Sequence, residues 1–239
     1  MDFHLDTFHA AGFAIIPELI DAGRIEPILA ELALLDGVDT VRRRGQTFAM
    51  RNVLERVATI AELAASPEVR SLVERILGAG CFAVRGILFD KIAAANWHVA
   101  WHQDLTIAVR RRLDVPGFGP WSLKAGVPHV QPPLAVLERM VTVRIHLDEC
   151  TELNGPLRVI RGSHRLGRLD AAGIERCVAH GECLECLVPR GGAVVMRPLV
   201  VHSSLPATSV SHRRVVHLEF ACDPLPAGLE WHARTATAD

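Results

Sequence analysis

Four consecutive residues, Trp101-His102-Gln103-Asp104, stand out as a possible chemical centre. They lie in an apolar run from Trp97 to Val109 that is rich in β-formers and has no Gly or Pro, so the run is expected to be a strand. Side chains alternate across a strand, which turns His102 and Asp104 to one side and Gln103 to the other. One imidazole and one carboxylate converging at this spacing can hold two adjacent corners of a divalent metal ion. Two His and one carboxylate on one side of the ion leave positions open, the arrangement of non-haem Fe(II) oxygenases. A His-x-Asp alone arises readily by chance and could be a strand-end pair bonded to backbone. The rest of the chain must supply a second His and a reason for open coordination.

His202 is the candidate partner. It lies in Val200-Val201-His202-Ser203-Ser204, a late strand after the Arg190-Gly191-Gly192 turn. The final strand, Arg213-Arg214-Val215-Val216-His217-Leu218-Glu219-Phe220, is expected to pair beside it through the Leu205–Ser211 loop. An Arg at its start would then face the cavity of His202. Alternation allows only one of Arg213 and Arg214 to point inward. A buried guanidinium needs an anion and clamps a carboxylate with two parallel hydrogen bonds. A metal plus a carboxylate-bearing co-substrate is what a 2-oxoglutarate oxygenase requires.

The elements that must position these residues change character along the chain. Residues 1–80 read as mainly helical: Asp2–Ala11 ending at Gly12, then a short strand Phe13–Ile16 stopped by Pro17. A helix over Leu19–Leu35 is closed by Asp36-Gly37, and Ser66-Pro67-Glu68 caps a helix running to Leu77. From Cys81 short strands follow one another: Cys81–Phe89, the His102 segment, Met140–Leu147, Leu157–Ile160, Leu184–Val188, Ala193–Met196, Leu199–Ser203 and Arg213–Ala221. This predicts one domain of α+β class, mainly β with flanking helices, its residues 81–225 forming a jelly-roll core. The Pro/Gly-rich stretch around 105–139 reads as a lid-like insertion.

Composition narrows the partners. The 239 residues carry a net charge of −1 and no Tyr, against the basic excess and aromatic platforms of a nucleic-acid binder. No apolar run reaches the length of a membrane span, and the acidic N-terminus is unlike a secretory signal. The six Cys are read as mostly free thiols, which suggests a cytoplasmic protein. A small-molecule substrate is expected. Nothing in the sequence selects between a monomer and a homodimer.

Taken together, the chain resembles the phytanoyl-CoA dioxygenase family of Fe(II)/2-oxoglutarate oxygenases. The resemblance rests on Leu88-Phe89-Asp90-Lys91, Trp101-His102-Gln103-Asp104, His146-Leu147-Asp148 through Asn154-Gly155-Pro156-Leu157, Arg161-Gly162-Ser163-His164, and Pro198–Ser204 leading into Arg213-Arg214. It implies a double-stranded β-helix (cupin-like) core, with Fe(II), 2-oxoglutarate and O₂ as cofactor and co-substrates. By position it implies His102, Asp104 and His202 as catalytic metal ligands. Arg213, eleven residues after His202, matches the co-substrate arginine, and Ser204 a position that can bond the same carboxylate. Ile87, Arg144 and Arg51 match further co-substrate positions. Lys91 belongs to the family motif, either binding co-substrate or stabilising the fold. Halogenating relatives carry a small residue where this chain has Asp104, so the resemblance implies hydroxylation with release of succinate and CO₂. The alternative is a metal-binding cupin-like isomerase or sensor, which needs no co-substrate arginine.

Other clusters carry less chemistry. Cys177, His180, Cys183 and Cys186 recur every third residue, as zinc ligands can, but a helix end followed by a strand would not bring them together. Arg42-Arg43-Arg44 and Arg110-Arg111-Arg112 could meet phosphates, for instance of an acyl-CoA, or be solvated faces. His98, His129 and His146 are read as pocket-lining or hydrogen-bonded structural residues, and His164 as ordering a turn.

Overall fold

The structure is a computed structural model that describes residues 3–35, 41–43, 46–91, 96–208 and 212–235. Asp36-Gly37, Arg44 and the end of the loop before Arg213 lie outside the described residues.

The N-terminal part builds one wall. Helix α1 (Leu5–Ala11) ends on Gly12 in the left-handed conformation, where a Cβ would stand 2.2 Å from the His164 ring. Strand β1 (Phe13–Ile16) and helix α2 (Ala22–Leu34) follow, then β2 (Val41–Arg43), β3 (Gln46–Arg51), α3 (Val53–Arg56) and α4 (Ala58–Ala64). Helix α5 (Pro67–Leu77) starts where the sequence places it: the Ser66 side chain accepts from the Val69 amide, and Pro67 fills the first turn.

The β part comprises β4 (Phe82–Lys91), β5 (Val99–His102), β6 (Ile107–Ala108), β7 (Trp121–Lys124) and β8 (Val127–Val130). After helix α6 (Leu134–Glu138) come β9 (Met140–His146) and β10 (Leu157–Ile160). Helix α7 (Ala171–His180) leads to β11 (Cys183–Cys186), β12 (Ala193–Met196), β13 (His202–Ser204) and β14 (Arg213–Ala221). The strands pair antiparallel in a seven-stranded sheet, β1-β12-β9-β14-β4-β3-β2, a four-stranded sheet, β11-β10-β13-β5, and a three-stranded sheet, β6-β8-β7. This is the expected α+β fold with a double-stranded β-helix core.

Alternation on the large sheet separates two environments. On β14, Val216, Leu218 and Phe220 join Val141, Val143 and Ile145 of β9 in the main core, packed against Ile25, Val53, Leu63 and Leu72 of the helices. That apolar layer, worth about 25 cal/mol per Å² removed from water, fixes register, because a one-residue slip would bury the wrong face. The opposite face, with Arg213, His217 and Glu219, turns inward. Between the large and four-stranded sheets, Leu157, Val159, Val194 and Met196 fill one side, and a cavity occupies the other.

Two expectations change. The run around His102 is not one strand: β5 stops at His102 and β6 begins at Ile107, because the Asp104 amide leaves the ladder to donate to the Pro198 carbonyl at 2.9 Å. Strands β13 and β14 are not paired; β13 lies between β10 and β5, and β14 between β4 and β9. Their connection passes from one sheet to the other, so Arg213 meets His202 across the cavity rather than along a shared edge. The insertion around 105–139 forms the three-stranded sheet and α6, and Ile107, Val109, Val130 and Leu137 build a second core with Trp231. Cys150, Cys177, Cys183 and Cys186 are free thiols, whereas Cys81 and Cys222, 141 residues apart, are joined as a disulfide.

Candidate metal centre and co-substrate pocket

His102 and His202 are cross-strand partners between β5 and β13, their ring centroids 4.2 Å apart. Each ring is oriented the same way: Nδ1 meets the carbonyl two residues earlier, Ala100 at 2.8 Å and Val200 at 2.9 Å. A carbonyl can only accept, so Nδ1 carries the proton and each Nε2 keeps its lone pair. Those two atoms lie 3.9 Å and 3.7 Å from the Asp104 carboxylate oxygens, and His102, Asp104 and His202 converge within the span of one ion. Burial pushes the His202 imidazole down to about 4, so it is neutral and ready to ligate. Burial opposes the charge on Asp104, but His202, His217, His102 and Arg85 outweigh it and hold the carboxyl well below the usual range. The buried Asp104 Oδ2 has no hydrogen-bond partner. Two free imidazole lone pairs and an unsatisfied carboxylate oxygen fit a divalent ion.

Gln103 turns away, as alternation requires. Its Nε2 donates to Gly167 and Leu199 carbonyls, both at 2.8 Å, and its Oε1 accepts from the Leu169 amide at 2.9 Å. A buried amide so satisfied pins the backbone between the two ligands.

The triad opens on a cavity of about 510 Å³, also lined by Arg51, Ile87, Arg144, Ser204 and Arg213. The Arg213 and Arg214 alternatives separate cleanly. Arg214 points out and grips Asp148 through two hydrogen bonds of 2.8 and 2.6 Å. Arg213 is 3% exposed, and its Nε has no acceptor. Ser204 receives a hydrogen bond from Lys91 Nζ at 2.8 Å and gives its own proton to the Gly155 carbonyl at 3.0 Å. Lys91 also donates to the Leu205 carbonyl at 2.5 Å and stands outside the cavity lining. It therefore braces the segment after His202.

Burial brings the Lys91 ammonium down to about 7, from an ordinary value of 10.5. The unfolded chain keeps this proton above neutrality while the folded one releases it, so this group adds stability as pH rises across that window. Urea denaturation of the unaltered protein and of Lys91→Met should show the difference moving in favour of the unaltered protein between about pH 7 and about pH 9. A difference constant with pH would contradict a buried, titrating ammonium.

Inspection of the last strand could have found more. Arg213, His217 and Glu219 share one face at even spacing. In the structure Arg144 donates to His217 Nδ1 at 2.8 Å, His217 Nε2 meets Glu219 at 3.2 Å, and Glu219 is ion-paired with Arg85. Burial lowers His217 and keeps it neutral. Glu219 is also lowered, because Arg85 and His217 outweigh its burial. This chain fixes the floor beside Asp104.

The remaining candidates lie elsewhere. Cys177, His180, Cys183 and Cys186 form no metal-binding group among the described residues. Arg110 pairs with Glu230 at 2.9 Å, and Arg112 lies over Trp121. His98, His129 and His146 do not line the cavity; His129 bonds the Val127 carbonyl at 2.9 Å. His164 meets the His9 carbonyl at 3.1 Å and sits under Gly12, ordering that turn.

A helix-flanked double-stranded β-helix with a His-x-Asp…His group opening on a cavity is the build of non-haem iron oxygenases. The chain belongs to the phytanoyl-CoA dioxygenase (PhyH) family, whose model matches residues 8–215. A curated relative, ectoine dioxygenase of Sphingopyxis alaskensis, is 26% identical over 169 residues, covering 66% of this chain and 48% of the relative; the matched stretch is thus about half that protein's length. Among solved structures, the epimerase SnoN in complex with Fe3+, alpha-ketoglutarate and nogalamycin RO matches with a TM-score of 0.69 at 17% identity, covering 91% of this chain and 81% of that one. EctD from S. alaskensis with bound Fe gives a TM-score of 0.69 at 18% identity, covering 91% and 75%. Among the described residues no helix is long and apolar enough to cross a membrane.

Proposed function

We propose that this protein is an Fe(II)- and 2-oxoglutarate-dependent dioxygenase that hydroxylates a small organic or lipid-like molecule, with release of succinate and CO₂. The observation that carries the reading is Arg213, buried and with its Nε short of an acceptor, in the same cavity as the converging ligand atoms of His102, Asp104 and His202. When bound, the iron and its co-substrate supply the activation of O₂ that no amino-acid side chain can perform.

The chain's residues do the rest. His102, Asp104 and His202 hold the metal on one side, their orientation set by the Ala100 and Val200 carbonyls and by Gln103. Arg213 pins the far carboxylate of 2-oxoglutarate and so directs its keto-acid end to the triad. Arg144, tied to His217 and in electrostatic reach of Arg213, adds positive potential at that end. Ile87, Phe89, Trp97 and Leu157 line the cavity and limit water near the reacting atoms. Ser204 and Lys91 keep the wall behind the co-substrate in place. A cupin-type isomerase or sensor has no use for an inward arginine with an empty donor. The partner is a small molecule rather than a nucleic acid or membrane.

Anaerobic titration of Fe(II) and then 2-oxoglutarate tests the assignment. A visible charge-transfer band should develop and should be lost in His102→Ala. No band, and no succinate formed on admitting air, would favour the cupin alternative.

A further inference from the structure

The cavity holds more positive charge than the metal and co-substrate use, and the surplus gathers at one end. On β14 the inward residues run Arg213, Val215, His217, Glu219, opposite Lys91, Phe89, Ile87 and Arg85 of β4. Arg213 and the Glu219–Arg85 pair are therefore separated by roughly 20 Å of strand at about 3.3 Å per residue. Arg51, beside Ile87 on β3, and Lys124, from the inserted sheet, line the cavity together with Arg85. Burial and the charge of Arg85 lower both Arg51 and Lys124, and Arg51 lowers Lys124 further, so the three cations share one neighbourhood. The triad lies between the two ends: Asp104 acts on Lys124 and on Arg144.

Two carboxylates, Glu219 and Asp104, face this group, and only Glu219 forms an ion pair with it. Glu219 pairs with Arg85, whose buried Nε still lacks an acceptor. Among the described residues no acidic side chain forms an ion pair with Arg51 or Lys124; Lys124 Nζ donates to the Thr106 hydroxyl at 3.0 Å. Glu219 acts on Arg51 and Lys124, and Asp104 on Lys124, but Glu219 is already paired with Arg85 and Asp104 belongs to the metal triad, so three half-buried cations share too little counter-charge and await an anion. With one carboxylate on Arg213 and its other end at the triad, 2-oxoglutarate is too short to reach them.

Resting on the co-substrate assignment above, we propose that Arg51, Lys124 and Arg85 form the recognition site for an anionic group, a carboxylate or a phosphate ester, on the primary substrate. The enzyme then acts on a small organic acid or phosphate ester rather than a neutral lipid. The anchored anion orients the substrate so that its body lies toward Asp104 and the metal.

The test loads the protein anaerobically with Fe(II) and 2-oxoglutarate. It is then titrated with matched probes: hexanoate against hexanamide, benzoate against benzamide, phenyl phosphate against phenol. Binding is read from tryptophan fluorescence, Trp97 lining the cavity, and from displacement of the visible band. The anionic member of at least one pair should bind about tenfold or more tightly than its neutral counterpart. Whether carboxylate or phosphate leads identifies the group. That preference should vanish in Arg51→Met and in Lys124→Met, and Lys124→Glu should reverse it, with the 2-oxoglutarate band retained in both Lys124 variants. Lys124 lies on the inserted sheet, so its variants hold the test if Arg51→Met fails to fold. Equal binding of anions and neutral analogues, or an anion preference that survives both Met variants, overturns the proposal. A missing band in the unaltered protein, seen before any probe is added, instead overturns the co-substrate assignment and this inference with it.

Discussion

Replacing Asp104 with Ala should reduce succinate release by more than about 10³-fold, corresponding to about 4 kcal/mol in the barrier. The carboxylate is the only ligand of the three that brings negative charge, and its Oδ2 has no protein donor to satisfy it. Its loss removes the charge that offsets a divalent ion and a corner of the site. The fold should survive, because the Asp104 amide, not its side chain, bonds Pro198 at 2.9 Å. Thermal melting separates the two effects. A ligand at 1,000 times its dissociation constant stabilises by about 4 kcal/mol, so the unaltered protein should melt later with Fe(II) or Co(II). Asp104→Ala should melt at its metal-free temperature in either case. Full metal-dependent stabilisation of the variant, with undiminished turnover, would sink the triad.

Arg213→Met should raise the KM for 2-oxoglutarate by about 100-fold or more, since removing one partner of a buried charge pair costs about 3–5 kcal/mol. The ligand-free protein should respond in the opposite sense. There Arg213 is a desolvated cation whose Nε has no acceptor and whose thiol neighbour, Cys150, is a weak one. Met relieves that cost, and urea stability without ligand should be equal or higher. Arg214→Met is the control: that guanidinium faces outward onto Asp148, and its removal should leave the co-substrate KM within a factor of about two. If the two variants behaved alike, or their order were inverted, the inward assignment of Arg213 would be wrong.

Much of this was legible before any fold was known. Ser66, Pro67 and Glu68 announce α5 through the capping chemistry of its first turn, and Gly12 marks the end of α1 because the left-handed backbone of that C-cap favours glycine. The bounds of β1, β10, β12 and β14 follow from local composition, and the ordered motifs from Leu88 to Arg214 carried the resemblance to the family. These are short-range facts, set by backbone sterics and by neighbouring side chains.

Tertiary structure decided which strands share a sheet and which merely face one another. Alternation says that one of Arg213 and Arg214 is buried, but both faces of β14 are covered, one by helices and one by the cavity. The choice follows from Val216, Leu218 and Phe220 filling the helical core, together with Asp148 standing outside to receive Arg214. The separation of β13 from β14, the break of the strand after His102, and the Arg144–His217–Glu219–Arg85 chain all depend on partners tens of residues away. So does the gathering of Arg51 and Lys124 around Arg85. Local sequence fixes the direction of a side chain relative to its own strand; only the packing of whole sheets fixes what lies in that direction.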